Sequence, residues 1–318
     1  VLSWTEIELS RGYRVSIENE SGVVKETVTG ETYFSLDDLE QGNYYVKVCA
    51  IGNGRDKKNS DWTERIDFSK GYSTGLVYKL IEDDTAYSVT AAGKASGEVE
   101  IEEYYRGKPV LTIGERAFKN STRITVLKVG ANVSTIANEA FYGCTVLQRV
   151  DLPSDLLYLG QSAFQNCSAL KTITVPSGLD TIEQYTFAYC RNLAEVIFDV
   201  KETELDDGSK QYDGVTVIAE GAFTECSSVK ELELPITLTG IDKLAFSKMT
   251  ELETVTIKDN VTYINSEAFR NNVKLREVAI SRNSALDFLG VKAFAGCSEL
   301  TDITLPDKLT EISQQVFY

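Results

Sequence analysis

One dipeptide returns at a fixed interval from about residue 113 to the end of this 318-residue chain. Ala-Phe stands at 117–118, 140–141, 163–164, 222–223, 245–246, 268–269 and 293–294, and Thr186-Phe187 and Val316-Phe317 keep the same register. The Phe-to-Phe spacings are 23, 23, 23, 36, 23, 23, 25 and 23. Six identical intervals out of eight mark a repeat array, in which each unit contacts mainly its neighbours.

Other positions keep step with the Phe. Three residues on stand Cys144, Cys167, Cys190, Cys226 and Cys297. Nine and eleven on come apolar pairs such as Val150/Leu152, Ile173/Val175 and Leu232/Leu234, and twelve on comes Pro153, Pro176, Pro235 or Pro306. The alternation at nine and eleven predicts a short strand with those residues inward. Proline closes it where a missing N–H costs least. The Ile-x-x-x-Ala-Phe stretch has an i, i+4, i+5 apolar pattern and predicts a helical turn. One such unit cannot cover its own apolar edge, so units are expected to stack into a parallel sheet with strands about 4.8 Å apart, roughly 40 Å over eight intervals. Met249 and Lys258 in the sixth unit, and Asn272 and Ser281 in the seventh, depart from the pattern and predict looser packing there.

The pattern Ile-x-x-x-Ala-Phe-x-x-Cys-x-x-Leu-x-x-Ile-x-Leu-Pro-x-x-Leu resembles the BspA-like leucine-rich repeat, the Treponema pallidum type, over about residues 113–318. The resemblance implies a β-rich, right-handed leucine-rich-repeat solenoid. Residues 76–112 fit its β-strand N-terminal cap, with strands expected near Val77–Leu80, Tyr87–Thr90 and Tyr105–Val110.

Residues 1–69 follow another period. Segments 1–5 and 13–17 alternate as strands, Asn19-Glu20-Ser21-Gly22 reads as a turn, and Tyr44, Val46, Val48 and Ala50 share one face. This set is similar to a fibronectin type III β-sandwich lacking its first strand, with Trp4 and Tyr44 at its core positions. Cys49, facing away from that side, is expected to be partly exposed. Residues 70–75 read as a linker. The chain opens without Met and stops inside a unit at Tyr318, so trimming at its start and continuation past its end are both expected.

Composition limits the chemistry. There is no His, which excludes Ser-His-Asp and Cys-His catalysis and every imidazole metal site. Net charge is −16, which disfavours nucleic acid and anionic membranes as partners. No apolar run approaches the 18 or so residues of a membrane span. There is no Cys-x-x-Cys, and the recurring cysteines read as a reduced, buried ladder. No cofactor, metal or catalytic residue is predicted.

Two surface features remain. The 36-residue interval carries an insertion within residues 199–215 with six acids and two lysines, and repeat-array insertions map to one face. It reads as a solvated hairpin, a partner-contact loop or a calcium loop, and its acid spacing fits no EF-hand. The outward strand positions concentrate acids beside it. Together these nominate Arg149, Asp151, Glu195, Asp199, Glu202, Glu204, Asp206, Asp207, Glu231 and Glu233 as partner-binding residues. The resemblance implies a non-enzymatic, secreted or cell-surface bacterial protein, acting as a monomer, that adheres to a protein partner such as a host extracellular-matrix protein. Two alternatives stay open: a structural stalk in a larger surface protein, and an accessory binding module of a polysaccharide-degrading enzyme.

Overall fold

The computed structural model describes residues 2–5, 10–19, 22–36, 39, 42–52, 58–70, 75–106, 108–301 and 303–318. The expected linker and the tips of the first-domain turns lie largely outside these. The chain divides into two compact units: Val1–Thr74 with Tyr104–Pro109, and Gly75–Glu103 with Val110–Tyr318.

In the larger unit each interval from Phe118 to Phe294 is one coil carrying two repeat strands, and the last interval, to Phe317, carries none among the described residues. The first sheet is built of three hydrogen-bonded segments packed in succession: Gly97–Ile101, Ile124–Val129 and Arg149–Asp151; Thr172–Val175 with Glu195–Phe198; and Glu231–Glu233, Thr254–Ile257 and Glu277–Ile280. All its pairings are parallel and join equivalent positions, as in Ile173↔Val196 and Leu232↔Val255↔Val278. That register keeps Leu127, Val150, Ile173, Leu232, Val255 and Val278 buried in one row. Pro153, Pro176 and Pro235 follow their strands within two residues, as expected. A second parallel sheet, which the periodicity does not predict, is built of two-residue strands: Thr135–Ile136, Tyr158–Leu159, Thr181–Ile182, Val217–Ile218, Gly240–Ile241, Tyr263–Ile264 and Phe288–Leu289. The isoleucine assigned to a helical turn sits here instead.

The helical turn itself is corrected: no α-helix occurs among the described residues. Around each Phe the amides alternate in direction. In one coil Glu139, Phe141 and Gly143 donate to Gln161 (2.9 Å), Ala163 (2.8 Å) and Gln165 (2.8 Å) of the next coil. Ala140, Tyr142 and Cys144 donate back to carbonyls three residues earlier, at 3.1–3.3 Å. A helix would send every one of these amides four residues back. The alternation needs a left-handed residue two before and two after the Phe, met here by Glu139 (φ 53°) and Gly143 (φ 71°), and the same places are left-handed in the other coils. Asn120, Gly143, Asn166, Asn271 and Gly296 at the later place are residues that accept this conformation readily.

The strain is comparable to what the hydrogen bonds return. A left-handed non-glycine residue costs about 1–2 kcal/mol, and a hydrogen bond nets about 0.5–1.5 kcal/mol. The surplus therefore comes from the side chains that the turn places inside. Phe118, Phe141, Phe164, Phe187, Phe223, Phe246, Phe269, Phe294 and Phe317 form one continuous stack, with centroids 4.7–5.9 Å apart and ring planes within 18°. Each offset-stacked pair adds about 0.5–1.5 kcal/mol beyond area burial.

The cysteines serve this stack. All six are free and buried. The thiols of Cys144, Cys167, Cys190, Cys226 and Cys297 donate to the carbonyls of Phe118, Phe141, Phe164, Phe187 and Phe269, one coil back, at 3.0–3.2 Å. Burial pushes the Cys190 thiol up to about 12, so it stays protonated and able to donate. Asn272 replaces a thiol in this ladder. Its amide donates to Phe246 O (3.1 Å) and its Oδ1 accepts from Met249 N (2.8 Å). Met249 and Asn272 are fully buried, against the expectation of looser packing at these two positions.

The lead-in strands form a coil of their own. Ala86–Ala91 pairs parallel with Lys108–Ile113, and Gly97–Ile101 pairs parallel with Ile124–Val129, so both sheets begin before the first Phe. Val77–Ile81 closes the second sheet antiparallel to Ala86–Ala91. Gly130, which stands in the Pro place, is required here: a Cβ would sit 2.6 Å from Ile101 O and 2.8 Å from Glu103 N.

In the smaller unit Gly22–Thr29, Tyr13–Asn19, Gly42–Ala50 and Ile66–Lys70 form an antiparallel sheet in that order, and Leu2–Ser3 pairs with Tyr33–Phe34. Tyr44, Val46, Val48 and Ala50 share one core with Tyr13, Val15 and Ile17, and Trp4 packs against it, edge-on to Tyr13 at 5.3 Å. Cys49 is buried, at 5% exposure, against the expectation that it would be partly open.

Phe187→Ala is expected to lower the unfolding free energy by about 3–5 kcal/mol, because it removes a ring stacked on both sides. Phe317→Ala, at a ring 45% exposed and stacked on one side, should cost clearly less. Urea denaturation followed by circular dichroism checks the difference; Trp4 and Trp62 both lie in the smaller unit, so their fluorescence reports that unit separately.

Candidate protein-binding face

The outward side of the first sheet carries two rows. One holds Val126, Arg149, Thr172, Glu195, Glu231, Thr254 and Glu277, and the other Lys128, Asp151, Thr174, Ile197, Glu233, Thr256 and Ala279. Strand alternation turns these side chains away from the core. Glu195–Phe198 packs beside Glu231–Glu233, so Glu195, Glu231 and Glu233 stand on neighbouring strands.

Ion pairing redistributes the charge. Arg149 Nε contacts Asp151 at 2.8 Å, so these two neutralise each other and do not extend the acidic patch. Glu233 holds Lys258 at 2.6 Å. Glu195 and Glu231 have no ion-pair partner among the described residues, and their charge stays available. On the same strand as Glu195, in the second row between Thr174 and Glu233, stands Ile197, an apolar side chain 44% exposed. Charge alone does not nominate it, although its place ten residues after Phe187 marks it as outward. Beyond Lys128 the rows continue into Glu98 and Glu100, and Glu98 pairs with Lys128 at 2.6 Å. Asp302, counted with this face from its spacing, lies outside the described residues.

At the far end of the face a cleft of about 490 Å³ opens among Ile236, Thr256, Lys258, Asn260, Ala279 and Ser281. It falls where two successive coils carry Lys258 and Ser281 in place of the strand-closing proline.

The insertion is an antiparallel hairpin, Lys201–Glu204 against Lys210–Asp213, exposed nearly throughout. Asp199, Glu202, Glu204, Asp206 and Asp207 thus belong to or adjoin a separate element and not the sheet face. Glu202 contacts Lys210 at 2.6 Å, which holds its carboxyl below the usual range. Asp207 accepts from Ser209 N (2.9 Å) and Oγ (2.5 Å) and closes the hairpin turn.

The left-handed turn residues carry a second set of charges, stacked from coil to coil. Arg116 and Lys119 both contact Glu139, and Arg191 and Lys248 both contact Glu225, at 2.9 and 3.0 Å. Hydrogen bonds from Arg116 and Lys119 lower the Glu139 carboxyl from 4.5 to about 2.

Two series of parallel strands, one turn ladder and one aromatic stack, each built from successive coils, define a leucine-rich type of repeat solenoid. The family model of the BspA type leucine rich repeat region matches in six copies over residues 111–212 and 209–318. The chain belongs to this family. Similar solved structures include the leucine-rich repeat protein of T. pallidum, at 24% identity and TM-score 0.49, covering 71% of this chain and 88% of that one. A leucine-rich cell surface protein from Faecalibacterium prausnitzii A2-165 follows, at 23% identity and TM-score 0.37, covering 77% and 84%. The pneumococcal vaccine antigen PcpA is similar at 16% identity and TM-score 0.45, covering 74% and 70%. No curated protein matches the sequence.

Because the folded carboxyl is depressed, the stabilisation Glu139 contributes is complete above about 4.5, its ordinary value, and is lost as pH falls through about 2. A carbon-detected NMR titration should find Glu139 titrating near 2, and Arg116→Ala should move it up toward the ordinary value. An unshifted titration near 4.5 in the unmodified chain would contradict the pairing.

Proposed function

We propose that this chain is a non-enzymatic protein-binding module of a bacterial surface or secreted protein, acting as a monomer, with the outward face of the first sheet as its contact surface. The observation that carries this is the central patch: two unpaired glutamates, Glu195 and Glu231, around an exposed isoleucine, Ile197, on strands whose register is fixed by the aromatic stack. Apolar contact with a charged surround suits a protein surface. A standard footprint of about 800 Å² per partner spans several coils, which a stiff array offers without ordering cost. Membership of the repeat family supports the surface location and adhesion, with host extracellular-matrix protein as the partner class. The strand order of the smaller unit, a four-stranded sheet with a separate two-stranded pair, supports a fibronectin type III-like spacer that lacks one strand.

The test is binding of the 318-residue chain to immobilised fibronectin and fibrinogen by biolayer interferometry at low and physiological salt. The expected outcome is saturable binding that weakens with salt. Glu195→Lys with Glu231→Lys should weaken it about tenfold or more, since two close like-charge contacts cost over 1.4 kcal/mol. The thermal midpoint should hardly move, because both side chains are solvent-exposed. Binding that ignores both substitutions would place the contact elsewhere, and no binding to either protein would favour the stalk.

A further inference from the structure

The inserted hairpin does more than project from the array. Its feet, Lys201, Tyr212, Asp213 and Gly214, form one wall of a groove of about 380 Å³. The opposite wall is the turns after Arg149–Asp151 and Thr172–Val175, with Asp155 and Asp180 among its residues. That volume is within the range of about 300–1,000 Å³ found for small-molecule sites. The thirteen extra residues between Phe187 and Phe223, whose spacing is 36 against 23 in six of the other seven intervals, supply one wall of the groove.

The lining alternates donors with acceptors. Asp155 has no partner among the described residues, and neither does the Lys201 ammonium. Asp180 accepts from Thr216 Oγ1 at 2.7 Å, and Asp213 accepts from Gln211 Nε2 at 3.1 Å; each carboxylate keeps further lone pairs. Hydroxyls of Ser154, Ser177 and Thr216 complete the rim. Tyr212, 37% exposed, lies opposite Glu202 in the hairpin register. Gly178 keeps the floor tight, since a Cβ there would sit 2.7 Å from Leu156 O.

This chemistry selects among ligands. An anionic group would meet Lys201 but also three carboxylates. A guanidinium or ammonium would find acceptors but face Lys201. A polyol satisfies both kinds of group, because each hydroxyl donates once and accepts twice, and a tyrosine face offers apolar contact to its C–H surface. We propose that the groove beneath the hairpin is a binding site for a neutral carbohydrate, with Asp155, Asp180 and Lys201 engaging hydroxyls and Tyr212 packing against a ring. This site is separate from the sheet face and stands or falls independently of it.

The experiment titrates the full 318-residue chain with cellobiose, maltose, lactose, mannobiose and chitobiose, by isothermal calorimetry and saturation-transfer NMR. Inorganic phosphate and an arginine-rich peptide are run beside them. At least one disaccharide is expected to bind with a Kd of roughly 1 mM or tighter. Tyr212→Ala and Asp180→Asn should each weaken it about tenfold, and Glu231→Lys should leave it unchanged. Equal thermal midpoints confirm that the variants fold, and Lys201→Met supplies a third variant at an exposed position. Failure of every disaccharide to bind, or binding indifferent to all three groove variants, would overturn the proposal. So would groove-dependent binding of phosphate or the peptide in place of a saccharide.

Discussion

Everything in the larger unit depends on the backbone around each Phe sending alternate amides to the neighbouring coil. Glu139, Phe141 and Gly143 bond forward while Ala140, Tyr142 and Cys144 bond back. That single arrangement sets the coil spacing, and the coil spacing brings the rings to 4.7–5.9 Å. The same spacing places a thiol from one coil against the Phe carbonyl of the coil before. The carbonyls of Phe118, Phe141, Phe164 and Phe187 then accept twice, as Phe118 O does from Ser121 N (2.9 Å) and Cys144 Sγ (3.0 Å). Removing water from a carbonyl is costly unless its lone pairs are met, and this accounts for a small donor at that place. Asn272 can substitute for cysteine because it too donates to a carbonyl in the preceding coil.

The repeat length, the parallel strand and its proline stop were legible because each rests on local periodicity. The strand after Phe164, Thr172–Val175 followed by Pro176, falls where alternation put it. The turn was misread because an i, i+4, i+5 apolar pattern fits a helix and a folded turn ladder equally well when only inward positions are counted. The distinguishing mark was present in Asn120, Gly143, Asn166, Asn271 and Gly296, two places after the Phe, where a helix has no use for left-handed residues. The second sheet was missed because a two-residue strand has no period to detect. Cys49 was misplaced because alternation within one strand says nothing about what covers its other side.

The candidate face was legible in outline and not in charge. Counting positions from each Phe puts Glu195, Glu231 and Glu233 on outward places of the first sheet, and Glu195–Phe198 packs beside Glu231–Glu233. Pairing could not be counted that way: Arg149 turns along its own strand onto Asp151, and Lys258 reaches back one coil to Glu233, contacts that depend on side-chain reach. The net effect is a smaller unpaired acidic centre that includes Ile197. The hairpin acids had looked continuous with that centre. Four of them belong to the hairpin itself, and two of these, Glu202 and Asp207, are engaged in its own pairing and turn.

The forward hydrogen bonds hold the coils in register, and they can be observed directly. Scalar couplings transmitted through hydrogen bonds, measured by NMR on the uniformly labelled and deuterated chain, identify the acceptor of each amide. The Phe141 amide should couple to the carbonyl of Ala163 and the Phe223 amide to that of Ala245. Couplings to Ala137 and Ala219, four residues earlier in the same coil, would mean that the segment is a helix and that the coils are held together in some other way.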